Sequence, residues 1–581
     1  SRFQKGSGSP VYGGTEDTTD NVSGGIWGIG PYKSLKLNIN KIVTWVPNAG
    51  ATAGEWNNGS GPVITSPAII ATDLTSPSTS FSAKKLTINN GVGLTIPSGQ
   101  SVTVDGELIN NNGTSTIKTL VVESGANFIQ NNSSIANTGN IRVKRDASVP
   151  AIQYNFWSSP VSGQDLYNFY QSGNVVAAKK VFTYNTLTDR YTVVNSGNFS
   201  KAIGYSIKGE NSGNSNAVFF GAPNNGNATV GLAATGQRFN LIGNPYASNI
   251  NADQFYAENE TQIENTFYFW DNTGNNALSQ MGSGYNTYGT NNFATYNASA
   301  EIGNPGTGTP NNASEIPNGK IVVGQGFIVQ AKSGVVSPSV TFKNSMRTAG
   351  AGVFFAKQNQ QKNAFWLQLI SPSQLSNTTA VIYKDNAQNM LDKFDSELSS
   401  LSSDALFTFA ENDSKKLSIQ GRNGNQISED VMRLGAQFFN DGQYTFALKD
   451  KQGIFANVQN IYLHDKQTNT YTNLQNENYT FTAVKGLIEN RFEIVYKENA
   501  VLGNGETKPS DFQIYRDGED FVVRSSKNLC RIEVYNMSGQ LLKNFVINHQ
   551  TFKINVSDLP VGMYIVKIEN SGDLKTKKII K

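Results

Sequence analysis

The feature that most constrains this chain is a run of short apolar-x-apolar triplets, each followed by a glycine turn or an asparagine cluster. Leu86-Thr87-Ile88 precedes Asn89-Asn90-Gly91, and Val102-Thr103-Val104 precedes Asp105-Gly106. Leu120-Val121-Val122 precedes Ser124-Gly125, and Ile141-Arg142-Val143 closes the series. A period of two marks a strand with one buried face. Three residues cannot bury a core alone, so each triplet has to stack on others. The triplets start at 86, 102, 120 and 141, in steps of 16, 18 and 21. Steps near 20 residues with one strand per corner suit a β-solenoid over 62–148. The rival is a β-sandwich with hairpins at the Gly turns.

Composition supports β-structure throughout. Charged residues are only 16% of the 581, glycines number 55, and the formal net charge is +3. Polarity therefore comes from Asn, Ser, Thr and Gly, which favour turns and strands. A charge of +3 spread over 581 residues is no nucleic-acid footprint. No apolar run reaches 18 residues, so no membrane helix is expected. The chain starts at Ser1 without a charged-plus-apolar leader, so it reads as a mature protein or as part of a longer one.

Residues 1–61 read as irregular, a linker or partial domain, with tryptophans at 27, 45 and 56. Residues 150–345 carry a second, longer repeat. Tyr154-Asn155-Phe156-Trp157-Ser158-Ser159-Pro160-Val161 resembles Phe239-Asn240-Leu241-Ile242-Gly243-Asn244-Pro245-Tyr246 at an offset of 85. Aromatic strands follow at 182–185 and 268–271, then glycine-led strands at 204–207 and 326–329. A polar insertion of about 36 residues falls in the second copy. The region reads as a duplicated β-unit in one sandwich or jelly-roll-like domain. Residues 351–498 alternate as a further β-sandwich, with one helix-like stretch at about 386–402. Residues 499–508 form a linker, and 509–581 a compact all-β module.

That last module resembles the C-terminal sorting domain (type A) of proteins exported by the type IX secretion system of Bacteroidota. Three stretches carry the likeness: Arg531–Leu542, a strand–turn–strand around Gly539; Ile554–Ile568, with Leu559-Pro560-Val561-Gly562-Met563-Tyr564-Ile565-Val566-Lys567-Ile568; and the basic ending Lys575-Thr576-Lys577-Lys578-Ile579-Ile580-Lys581. Where many members open with a Tyr-Pro-Asn-Pro turn, this chain reads Phe512-Gln513-Ile514-Tyr515-Arg516-Asp517-Gly518. By itself, the pattern places Gly539 and Gly562 at turns where positive φ suits glycine. Residues 565–581 carry +3 from side chains, a basic edge able to add to a partner's sheet or merely to blunt its own. The resemblance implies an immunoglobulin-like β-sandwich. It also implies export through the translocon SprA, capture by the shuttle barrel PorV and processing by a sortase. Gly539, Leu559, Gly562, Tyr564, Val566, Lys567, Ile568, Lys575, Lys577, Lys578, Ile579, Ile580 and Lys581 are the candidate signal. Upstream, the Phe156–Val161 and Leu241–Tyr246 motifs and the 462–496 stretch resemble segments of large flavobacterial surface proteins, including adhesins, some linked to gliding motility.

For catalysis the sequence offers little, and the chain is expected to be no enzyme, with no cofactor and no metal. It has one cysteine, Cys530, read as half-buried, and two histidines, His464 and His549. His464-Asp465 reads as a surface turn pair rather than a base oriented by a carboxylate. Asp253, Glu258, Glu260, Asp271 and Glu301 are scattered, unlike a glycosidase pair. Asp392, Asp395 and Glu397 could offer hard oxygens to Ca²⁺, but a solvated helix face explains them more simply. Tyr268, Trp270, Tyr285 and Tyr288, beside and within the polar insertion, are candidate ligand aromatics for a sugar or protein surface. The expectation is therefore an all-β, adhesin-like surface protein. The alternatives are a carbohydrate-binding region of an extracellular polysaccharide-acting protein and a structural stalk.

Overall fold

In the computed structural model the described residues are 41–48, 54–75, 79–147, 153–210, 215–271, 293–308, 314–350, 362–398, 403–497, 512–518, 520–570 and 574–581. The chain divides into two compact units, residues 1–498 and 499–581. Both are built from strands.

The first unit begins with a parallel solenoid of three walls. Val43–Val46, Ala68–Ile70, Leu86–Ile88 and Leu108–Asn110 stack in parallel on one wall. Phe81–Ala83, Ser101–Val104 and Asn127–Gln130 form the second. Leu94–Ile96, Leu120–Val122 and Ile141–Arg145 form the third. The four triplets thus come from three walls. Leu120 and Ile141 are stacked partners, whereas the steps from 86 to 102 and from 102 to 120 each change wall. The ladder also reaches upstream of residue 62, into the region read as irregular. Trp45 pairs with Trp56, and their rings meet edge-on at 5.3 Å. Inward positions Leu86, Ile88, Leu94, Ile96, Val102, Val104, Leu120 and Val122 are fully buried.

Within 150–345 two sheets share one strand order. Tyr154–Trp157, Tyr205–Lys208, Val181–Asn185 and Arg190–Val193 lie in that order across one antiparallel sheet. Phe239–Gly243, Gly326–Ala331, Ile263–Trp270 and Phe293–Asn297 repeat the order, with Ile302–Asn304 added at the edge. The two sheets are buried mainly in separate cores and meet in a small cluster of Phe156 with Leu241, Tyr268 and Ile328. Trp157, Phe169, Val181, Tyr205 and Ile207 join the solenoid core, while Phe255, Phe267, Phe327 and Phe342 make a second. The short helix Ala252–Asn259, absent from the sequence reading, starts at Asn251, whose side chain accepts from the Gln254 N–H at 2.9 Å.

Residues 363–495 form one sheet of eleven strands. Gly442–Gln452 and Gly486–Val495 stand far apart in its strand order, yet Phe446 and Phe492 meet at 5.0 Å. The sheet therefore curls around a main core, while Trp366, Ala380 and Ile382 pack in a separate cluster with Ile302. The stretch 386–398 is not helical but turns, ending in the strand Ser396–Glu397. Asp392 accepts from the N–H groups of Gln388 and Phe394, at 2.9 and 2.7 Å. Such local bonds divert the backbone from a helix.

Gly139 tests the solenoid's tightness. Its φ is +80°, and a Cβ there would sit 2.2 Å from the Asn110 carbonyl oxygen. Gly91, at φ +76°, faces open space. Gly91→Ala is expected to cost about 1–2 kcal/mol from the left-handed backbone alone. Gly139→Ala is expected to cost clearly more. Urea unfolding followed by tryptophan fluorescence ranks the two.

Candidate functional site

Among its described residues the second unit has five strands: Phe512–Asp517, Asp520–Asn536, Leu541–Ile554, Met563–Asn570 and Leu574–Ile580. Strict alternation shapes Met563–Asn570. Tyr564, Val566 and Ile568 are buried in the unit's core, while Lys567 turns outward and meets Glu533 at 3.2 Å. The strand pairs on one side with Asp520–Asn536 and on the other with the tail, in register from Met563–Ile580 to Glu569–Leu574. The three motif stretches therefore lie side by side in one sheet.

The last residue is part of this ladder. Lys581 N–H donates to the Gly562 carbonyl at 3.0 Å, and Gly562 N–H returns a bond to Lys581 at 3.3 Å. Lys581 Nζ donates to the Ser557 carbonyl at 3.0 Å and also to that of Leu559. Tyr564 Oη holds the Pro560 carbonyl at 2.6 Å. The turn carrying half-buried Leu559 is thus tied to both final strands. Ile579 is buried, while Lys577 and Lys578 are exposed on an edge strand. For Lys575 and Ile580 only the strand backbone is described.

Two expectations about this unit need correction. Gly539 has φ +81°, but Gly562 is not in the left-handed region. It sits in a bend just before the strand Met563–Asn570, with its backbone paired to Lys581. Cys530 is exposed, not half-buried. A register irregularity between Leu529 and Arg531 leaves it out of the paired positions, with Leu529 taking the core.

In the first unit the candidate acid–base groups are held by structural partners. His464 and Asp465 are neighbours in a strand, Tyr462–Asp465, and point to opposite faces. His464 Nδ1 lies 2.8 Å from Glu493, and its ring stacks on Tyr471 at 4.1 Å. Asp465 is fully buried and takes a forked contact from Arg491, together with the Tyr479 hydroxyl at 2.7 Å. Asp430 is likewise gripped by buried Arg422 and accepts from Tyr383 Oη at 2.6 Å. Asp395 accepts from the N–H groups of Asp392 and Gly421, at 2.8 and 3.0 Å, and Glu397 pairs with Lys415. The three acids weighed as calcium ligands do not converge.

The aromatic candidates divide. Tyr268 is buried in a cluster with Phe156, Leu241 and Ile328, so it is not an exposed stacking ring. Trp270 is half-buried and packs on Phe293 at 5.2 Å and Phe156 at 5.8 Å. Tyr285 and Tyr288 lie outside the described residues.

Residues 45–496, well over half the chain, match a family described as a domain of unknown function (DUF8693), and the chain belongs to that family. Residues 518–581 match the secretion system C-terminal sorting domain. No curated protein matches the chain. The sorting domain marks the protein as a substrate of type IX secretion, carried across the outer membrane to the cell surface or beyond. Among the described residues no helix is long and apolar enough to cross a membrane.

Asp395 makes stability pH-dependent. Burial foremost, and the nearby Asp392 charge, push its carboxyl from 3.8 up to about 7, against the pull of the two N–H groups. The fold therefore favours the protonated form. This contribution is complete below about pH 4 and is lost as pH rises through 7. Asp395→Asn is expected to remove that slope, so the stability of wild type relative to the variant falls between pH 4 and 7. Urea midpoints of both proteins across that range check it.

Proposed function

We propose that this chain is the adhesin-like part of a Bacteroidota cell-surface protein. Its DUF8693 region is a non-catalytic passenger, and its final strands are the address. The observation that carries the address is the closure of the tail onto the motif turn through Lys581 and Gly562. That closure pre-forms the edge strand and sets Lys577 and Lys578 on its surface. A pre-formed basic edge pays less ordering entropy on docking than a loose tail. In this reading SprA exports the chain, PorV captures the tail and a sortase processes it. A second reading, a carbohydrate-binding region of a polysaccharide-acting protein, draws on the half-buried Trp270–Phe293 pair.

The address is tested by fusing a folded reporter to residues 499–581 in a Bacteroidota host. The intact fusion is expected at the cell surface and in PorV pull-downs. The same fusion lacking residues 575–581 is expected to remain in the cell. Lys577→Glu with Lys578→Glu, which changes only exposed side chains, is expected to reduce capture several-fold without altering the unfolding midpoint. Equal export by all three forms would sink the assignment to the tail.

A further inference from the structure

One face of the second unit's sheet changes character along its strands. Val534, Val566 and Ile568 are buried in the core, so the residues alternating with them point away from it. On that outer face Arg531 stands opposite Val546 and Glu569, and Glu533 stands opposite Asn544 and Lys567. These two rows are charged, and Glu533 is closed off by Lys567 at 3.2 Å and by the Tyr535 hydroxyl at 2.9 Å. In the next row Tyr535 stands opposite Leu541 and Ile565, and Ile565 opposite Lys578. Asn536 pairs with Tyr564, so the turn residue Met537 follows beside Met563. Here the face is apolar and open. Met537 is 57% exposed, Leu541 46%, Met563 42% and nearby Val561 87%. Tyr535 and Ile565 between them are half-buried.

Exposed apolar side chains scattered singly are ordinary, but a gathered patch marks a contact surface. A sorting domain has to present such a surface to the type IX machinery. This face is drawn from all three motif stretches: Tyr535, Met537 and Leu541 from the first, Met563 and Ile565 from the second, Lys578 from the tail. Exposed Lys577 and Lys578 set cations along its border. An apolar centre with a charged rim is the anatomy of a docking surface: the centre sheds water and the rim sets orientation. Methionine, unbranched and polarizable, adapts its shape to a partner. We propose that this face seats the capture barrel, through an apolar patch on the barrel rimmed by acidic side chains. Met537, Leu541 and Met563 form the centre of the contact, and Lys577 and Lys578 meet the acidic rim. This rests on the reading of the second unit as an address captured by PorV, and it moves the main contact from the basic edge to the sheet face.

The test measures binding of the full 581-residue chain to PorV held in lipid nanodiscs. Met537→Gln, Leu541→Gln and Met563→Gln, combined in one variant, change exposed side chains only, so the urea midpoint is expected to hold. Affinity for PorV is expected to fall about tenfold or more. Val546→Gln makes the same chemical change on a charged row of the same face, and is expected to bind as wild type does. Equal binding by the triple variant overturns the proposal. So does an equal loss in Val546→Gln, which spreads the contact beyond the apolar rows. A lowered urea midpoint alongside lost binding assigns the three side chains to the fold and overturns it too. Sedimentation of the chain alone covers the remaining occupant: a dimer that the triple variant abolishes while PorV binding persists gives the face to a second copy. Failure of wild type to bind PorV sinks the capture reading together with this one, whereas wild-type binding that the triple variant shares removes this face alone.

Discussion

A parallel ladder of very short strands cannot end in water without exposing a row of backbone donors and acceptors. The solenoid meets this constraint at Ile141–Arg145, its last strand. Ala217–Gly221 pairs with that strand in antiparallel register along its full length. The capping strand belongs to the following segment, so closing the edge also joins two cores. Val143 and Phe219 are both fully buried in the same cluster as Trp157 and Phe169. The first of the two sheets in 150–345 thus packs mainly on the solenoid and meets the second only through the small cluster of Phe156 with Leu241, Tyr268 and Ile328.

Arg347 makes a second weld, at depth. Its guanidinium donates to the Phe128 carbonyl at 2.7 Å and to Ser248 Oγ at 3.1 Å, and lies over the Tyr246 ring at 4.8 Å. Burial lowers its pKa to about 10. Neutral oxygens and a ring face carry a cation here, and they come from the solenoid and from residues 246 and 248. In the curled sheet, Asp430 and Asp465 are instead held by forked arginines. Removing one member of such a pair strands the other charge, which makes these contacts parts of the frame.

Much of this architecture was legible in the residues. Period-two triplets with Gly and Asn turns marked the solenoid, and the paired Trp157-Ser158-Ser159-Pro160 and Ile242-Gly243-Asn244-Pro245 motifs fall in strands that open two sheets of the same strand order. The misses share a cause. The helix-like stretch at 386–402 is described as far as residue 398, where Asp392 binds the backbone locally and Met390 and Leu391 are left exposed while Phe394 reaches the core. The four triplets looked like one repeat because spacing along the chain does not say which wall a strand joins.

By itself the sequence determined the local rules. Alternation set which face of each strand is buried, glycine allowed turns such as that at Gly539, and three motifs defined the terminal module. These depend on neighbours within a few residues, where the chain's geometry leaves little choice. Tertiary structure decided what those strands lie against: which wall a triplet joins, that Ala217–Gly221 closes the solenoid, and that Gly562 pairs with Lys581. Such outcomes depend on which distant backbone supplies the missing hydrogen bond or fills the last of the core, and the chain settles that only when all its strands are in place.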